Sequence, residues 1–212
     1  MTIFKTLSTQ QIQLIDQIVH HHHFATGDFL YQEGDPTTAL TIVASGQAKA
    51  FQTTVAGKEH LLYLLQAGDI DGEAALFSDD KHYSVSAQAL TPTAVCSIER
   101  REFQNLLLKY PPINLQVLKA LGHKLLGVET RATKANTASV ADRLVDYLIE
   151  TAASLDTNQF QLPLKQKDLA TFIGTTPETV SRLPARLAKA GAISRPKTNQ
   201  IKIIDADKLL LE

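Results

Sequence analysis

The stretch Thr175-Thr176-Pro177-Glu178-Thr179-Val180-Ser181-Arg182 sets a carboxylate and a guanidinium four residues apart, with hydroxyls between them. Val180, Leu183 and Leu187 make the opposite, apolar face of the same helical period, so Thr176, Glu178, Thr179, Ser181 and Arg182 are left to the outside. Side chains of these types read base edges. Arginine donates two parallel bonds to guanine O6 and N7, a carboxylate accepts from cytosine N4, and a hydroxyl serves bases or phosphate. Upstream, Leu169-Ala170-Thr171-Phe172-Ile173-Gly174 predicts a first helix that ends at a glycine free to take a left-handed turn. Thr175 stands three residues before Glu178, the capping-box spacing, and Pro177 suits a first helical turn. The pattern predicts a helix-turn-helix whose second helix begins near 176 and turns its N-terminal residues to the major groove. Pro184 inside that helix removes a backbone bond and crowds the Val180 carbonyl, which predicts a kink or an early break.

A formal net charge of -1 argues at first against a nucleic-acid partner. Between Lys165 and Lys202, however, stand eight bases and two acids, a balance of +6 that leaves -7 for the remainder. Lys165, Lys167 and Arg186, with Arg195 and Lys197 in a hairpin (Ala192 to Ser194, Gln200 to Ile204), are placed to meet phosphates around the base-reading helix. The bland alternative is a pair of solvated helices with ordinary surface charge.

The elements that must position this segment are also written in the chain. Ile12, Ile15 and Val19 predict a short amphipathic helix over Thr9 to Val19. From Phe24 to Ile98, β-rich runs (Phe29 to Tyr31, Leu40 to Val43, Ala48 to Thr54, His60 to Leu65, Ser84 to Ala89, Ala94 to Ile98) alternate with Gly and Asp turn signals, as in a compact antiparallel sandwich or barrel. Helical period returns at Arg100. After Pro111-Pro112, Leu118, Leu121, Leu125, Val128, Ala132 and Ala135 recur in steps of three and four, a seam suited to a dimer helix, with Lys119, Lys124, Glu129, Arg131 and Lys134 on the solvated side. Asn136 to Ser139 reads as a hinge, Ser139 being available to cap a further helix, Val140 to Ala153. A short strand-like run over Phe160 to Leu164 follows the turn at Asp156 to Asn158.

Other chemistries find little support. Cys96 is the single cysteine, so it forms no intrachain disulfide and cannot supply the thiolates of an iron–sulfur cluster; its apolar run predicts a buried, inert thiol. His20 to His23 carry imidazoles that suit haem or a transition metal, but neighbouring residues of an extended chain alternate faces, and a solvated turn is the plainer expectation. No metal site is assigned. No nucleophile, base and orienting group stand at enzyme spacing. No window approaches a membrane span and no secretory leader is evident, so a cytoplasmic, membrane-free protein is expected.

Taken together, Gly27-Asp28, Gln32-Glu33-Gly34-Asp35, Ile42-Val43-Ala44-Ser45-Gly46, Gly68-Asp69-Ile70-Asp71-Gly72-Glu73-Ala74-Ala75-Leu76-Phe77 and Glu178-Thr179-Val180-Ser181-Arg182 resemble the Crp–Fnr superfamily of dimeric transcription regulators, essentially end to end. The resemblance implies an α+β chain: an N-terminal double-stranded β-helix sensor domain of the β-roll, cupin-like type (1–110), a long dimerisation helix and hinge (111–138), and a C-terminal winged helix-turn-helix (139–212). It also implies double-stranded DNA and RNA polymerase as partners; the turns Val55 to Lys58 and Leu155 to Asn158 are candidates to touch polymerase, a plain surface loop being the commoner reading of either. The recognition helix is similar to the Fnr branch, because Pro177 stands where the cyclic-AMP receptor branch has an arginine; this implies half-sites of the TTGAT type with Arg182 on guanine. In the family's cyclic-nucleotide sensors a Gly-Glu pair receives the ribose and an Arg-Ser pair the phosphate. Gly72, Glu73 and Ser84 match, but Tyr83 replaces the arginine, and Val128-Glu129 replace the Thr-Ser that meets the adenine. A phosphate without its guanidinium loses a bidentate charged contact, which argues against cyclic AMP. The signal is left unnamed. A small-molecule module acting through protein partners is the alternative reading.

Overall fold

Strands with apolar residues at both alternating positions bury both faces, and Leu40 to Val43 and Val95 to Ile98, each interrupted by one hydroxyl residue (Thr41, Ser97), are of that kind. In the computed structural model, which describes residues 15–73, 81–197 and 199–205 and all their side chains except those of Ala120 and Arg131, these runs lie in β3 (Ala39–Ser45) and β8 (Thr93–Glu99). Val43 and Val95 point into one core with Tyr31, Ala48, Ala50, Leu65, Val85 and Ala87. Leu40, Ile42, Cys96 and Ile98 point to the other side, where they meet Phe103, Leu106, Ile113 and Val117 from helices.

Two four-stranded antiparallel sheets form this β domain. One has the order β1-β8-β3-β6, with β1 Val19–Phe24 and β6 Ile70–Asp71; the other has β2-β7-β4-β5, with β2 Phe29–Tyr31, β4 Gln47–Thr53, β5 Glu59–Gln66 and β7 Ser86–Ala89. Six of these eight strands coincide with runs expected from sequence. β6 is too short to leave a pattern, and β1 replaces the turn expected at His20 to His23. Its histidines pair in register with Ser97, Cys96, Val95 and Ala94 of β8, so the backbone ladder outweighs the poor strand preference of a polar run. The expected helix from Thr9 lies largely outside the described residues, and Val19 belongs to β1 instead. Ala74 to Phe77 also lie outside them.

Helices α1 (Arg100–Lys109) and α2 (Pro111–Thr137) follow, and Pro111-Pro112 open α2 because a first turn needs no N–H from them. The chain divides into two compact units, residues 1–128 and 129–212. In the second, α3 (Val140–Ser154) starts at a reciprocal cap: the Ser139 hydroxyl accepts from the Asp142 N–H at 3.1 Å while the Asp142 carboxylate accepts from the Ser139 N–H at 2.9 Å. Then come β9 (Gln159–Gln161), α4 (Gln166–Phe172), α5 (Pro177–Lys189) and the hairpin β10 (Ile193–Ser194) and β11 (Gln200–Ile203), with the three strands in the order β10-β11-β9. Tyr147 of α3 meets Phe172 of α4 edge-on, ring centres 5.8 Å apart. No helix among the described residues is long and apolar enough to cross a membrane.

Candidate functional site

Between α4 and α5 the chain turns on Gly174, whose φ of +67° is a left-handed value that residues with a Cβ adopt only rarely. The Gly174 N–H reaches Thr171 O at 3.2 Å and the Thr175 N–H reaches Ala170 O at 2.8 Å. Thr175 is thereby spent on the turn. The cap falls one residue later than its spacing suggested: the Thr176 hydroxyl accepts from the Thr179 N–H at 3.4 Å, and Pro177 takes the first helical position. Val180, Leu183, Pro184 and Leu187 are buried, which leaves Thr176, Glu178, Ser181, Arg182 and Arg186 exposed and Thr179 half-buried. The helix does not break at Pro184 but runs on to Lys189. The proline ring lies on the apolar side, so its burial offsets part of the roughly 3 kcal/mol that an interior proline costs.

Glu178 keeps its charge. Its own N–H at the start of α5, then the Thr176 hydroxyl and the Arg182 guanidinium, hold its carboxyl below the ordinary range. Lys165 and Lys167 are exposed at the start of α4, and Arg195 and Lys197 are exposed in the loop joining β10 to β11. That loop is tied down at its far end, where the Asn199 carbonyl accepts from the Leu162 N–H and the Asn199 amide donates back to Leu162 O. The structure thus brings all ten predicted DNA-side residues into one unit, on two helices and a hairpin.

Sequence reasoning missed Arg143. Its Nε donates to Ile173 O at 2.7 Å and its Nη2 to Gly174 O at 3.5 Å, at the turn before α5. Its Nη1 donates to Ala138, Lys134 and Ala135 carbonyls at 2.5, 3.2 and 3.4 Å, at the end of α2. One guanidinium therefore closes the C-terminal carbonyls of two helices, and the Lys134–Asp146 pair at 2.6 Å adds a second tie.

In the β domain, Glu73 is already engaged. Lys124 of α2, expected on the solvated side, turns inward instead, its side chain only 30% exposed. Its Nζ lies 2.5 Å from Glu73 Oε1, 3.3 Å from Asp71 Oδ1 and 3.3 Å from Ile70 O. Burial would lower its pKa, but the Asp71 and Glu73 carboxylates outweigh burial and raise it. Asp71 also accepts from the Tyr31 hydroxyl and, at 3.3 Å, from that of Tyr63. Tyr83 stacks on Tyr31 at 3.7 Å. Burial, and then the Asp71 carboxylate, push the Tyr31 and Tyr63 hydroxyls far up, so both act as neutral donors. Gly72 is held at φ +78°, where a Cβ would stand 2.8 Å from Ala39 O.

Of the other predicted pocket residues, Ser84, Val128 and Glu129 are exposed. Tyr31 and Tyr83 instead line a cavity of about 350 Å³ with His22, Phe24, Thr41 and Ser97. Along the expected seam, Leu118, Leu125, Val128 and Ala132 are exposed, Leu121 packs on the β-domain core, and Leu115 and Leu126 join the exposed set. Cys96 is buried, and burial raises its pKa, as for an inert thiol. His22 Nε2 lies 3.0 Å from Ser97 Oγ and His21 Nδ1 3.4 Å from Cys96 Sγ. Among the described residues no three histidine, cysteine or acidic side chains converge on a metal position.

Residues 21–110 match the cyclic nucleotide-binding domain and residues 142–211 the Crp-like helix-turn-helix domain. The probable transcriptional regulator flp of Lacticaseibacillus casei is 36% identical over 209 residues, covering 98% of this chain and 93% of its own. The chain belongs to the Crp–Fnr family of transcriptional regulators. The transcriptional activator protein anr of Pseudomonas aeruginosa is 26% identical, covering 96% of this chain and 85% of its own. FixK2 from Bradyrhizobium japonicum shares the fold, with a TM-score of 0.78 at 18% identity over 92% of this chain and 96% of that one. This is a family of DNA-binding regulators and not of enzymes, and α4, α5 and the hairpin lie within the residues that match its helix-turn-helix domain.

Proposed function

We propose that this Crp–Fnr regulator acts as a cytoplasmic homodimer that reads a palindrome close to TTGAT-N4-ATCAA and controls transcription through RNA polymerase. The observation that carries the reading is the exposed row Glu178, Ser181, Arg182 on the capped N-terminal turns of α5, backed by an apolar face and flanked by Lys165, Lys167, Arg186, Arg195 and Lys197. Arg182 reads guanine, Glu178 accepts from a cytosine amine, and Thr176, Thr179 and Ser181 make shorter contacts to bases or backbone. The working division is a sensor domain over 1–110, a dimer helix and hinge over 111–138 and a DNA-binding domain over 139–212.

Dimerisation is supported by the large apolar side chains that α2 leaves in water. Leu118, Leu125 and Val128 are 64, 59 and 50% exposed, and a second copy of α2 is the partner whose period matches theirs. The test is a salt titration of duplex binding by the full chain. The expected result is a log–log slope that reports several displaced counterions, with at least about 10³-fold preference for the palindrome over scrambled duplex. An affinity independent of salt and sequence overturns the reading in favour of a module acting through protein partners.

A further inference from the structure

We infer that the cup formed by Ile70, Asp71, Glu73 and Tyr63 is an ammonium site whose ligand is the chain's own Lys124, a tethered cation that holds α2 on the β domain without a diffusible effector. A primary ammonium has three N–H donors, and the cup presents three oxygens: Glu73 Oε1 at 2.5 Å, Asp71 Oδ1 at 3.3 Å and Ile70 O at 3.3 Å. The Tyr63 ring adds its face, 5.3 Å from Nζ to the ring centre.

Part of the cup is held by groups other than the lysine. Asp71 is 5% exposed and is aimed by the Tyr31 and Tyr63 hydroxyls. Tyr31 is fixed in turn by its stack on Tyr83, and Gly72 fixes the backbone between the two carboxylates through its close approach to Ala39 O. Two carboxylates against one ammonium leave the cup net negative, which repels a phosphate and accepts a cation. A guanidinium is planar and a quaternary ammonium has no N–H, so neither matches three converging oxygens. Lys124 departs from α2 near the exposed apolar row, so the bond also fixes which face of the helix is left for a partner.

The test uses the full chain and thermal unfolding, which needs no DNA. Lys124→Ala leaves two carboxylates facing each other and is expected to lower the midpoint by about 5 °C. n-Butylammonium chloride at tens of millimolar is expected to restore at least half of that loss, while sodium chloride or tetramethylammonium chloride at equal ionic strength does not. The unsubstituted chain, its cup filled, is expected to respond to neither butylammonium nor cyclic AMP. Should Lys124→Ala fold too poorly to measure, Lys124→Met with Glu73→Gln removes both sides of the shorter pair, leaves Asp71 with its tyrosine donors, and is expected to be more stable than Lys124→Met alone. A Lys124→Ala chain as stable as the original, equal rescue by sodium chloride, or a double variant no better than the single one overturns the inference. The consequence for DNA rests on the function proposed above: Lys124→Ala is expected to lose at least about fivefold in duplex affinity and regain it with butylammonium. Thermal rescue with unchanged duplex affinity overturns that consequence alone, and a chain that binds no duplex at all while its midpoint is rescued overturns the DNA reading and not the ammonium site.

Discussion

Replacing Arg143 by alanine removes a side chain that closes both the end of α2 and the turn before α5. Two of its five bonds are short, 2.5 Å to Ala138 O and 2.7 Å to Ile173 O. Bonds from a charged donor contribute about 1.5–3 kcal/mol each, and the half-buried position favours the lower value. The three bonds of 3.2 to 3.5 Å add little. The loss is therefore about 3 kcal/mol, or about 100-fold in an opening equilibrium. Native-state hydrogen exchange reads this directly. Amides inside α3 and α5, such as those of Leu148 and Leu187, should exchange about 100-fold faster in Arg143→Ala, while those of β3 and β8 keep their rates. Arg143→Lys keeps the charge but lacks a fork able to span two helix ends, so it should recover less than half of the protection. A change below about threefold in α3 and α5, or an equal change in the β strands, refutes the assignment of Arg143 as the local tie.

Other consequences are simpler to state. Arg182→Ala should cost about 1–3 kcal/mol in duplex binding and relax discrimination at one base pair per half-site, read by competition with single-base variants; a uniform loss would make Arg182 a phosphate contact. Gly72→Ala forces a Cβ to 2.8 Å from Ala39 O at a positive φ and should destabilise the β domain by about 1–3 kcal/mol in denaturant unfolding. The Tyr147 hydroxyl, buried among α3 and its neighbours, is pushed up to about 12. Because the folded value lies above the unfolded one, its stabilising share is complete below the ordinary tyrosine pKa, about 10, and is lost as pH rises from there through the folded value. Alkaline unfolding should therefore begin in that window and be delayed in Tyr147→Phe. For Glu178 the sign is reversed: its depressed value favours the folded chain above the ordinary carboxylate pKa, and that share fades as acid protonates the folded carboxylate. Glu178→Gln should flatten the acid limb of a stability–pH profile.

Much of the fold was legible because its signals are local. Glycine and aspartate turns separated the β runs, and Ser139 announced α3 through a cap within three residues. The recognition helix was legible for the same reason: cap, proline and apolar face lie within thirteen residues. The errors also have local causes. The spacing of Thr175 to Glu178 pointed to one cap, whereas the chain is still in the turn at Thr175, whose N–H reaches Ala170 O, and the hydroxyl that accepts from the helix is that of Thr176. Pro184 was expected to kink or break its helix because propensity counts the lost bond and the clash but not the burial of the ring on the apolar side.

Lys124 shows where local reading stops. A period argument assigns a lysine to water because burying an ammonium without partners costs several kcal/mol, and within a turn or two of Lys124 the chain offers no acid on the inward side. Its partners stand 53 and 51 residues earlier, at Asp71 and Glu73, and no helical or strand period links positions so far apart. The acids carried a signal of their own. Two carboxylates flanking a glycine in an otherwise apolar strand end must find a cation, a metal or protons, because two bare charges cannot be buried side by side. Tyr83 in place of an arginine removes one such cation from the neighbourhood, which transfers the demand to another element. The nearest basic side chain on the helix that covers the strand is Lys124, and the charge balance of the cup, more than the period of α2, decides which way that lysine turns.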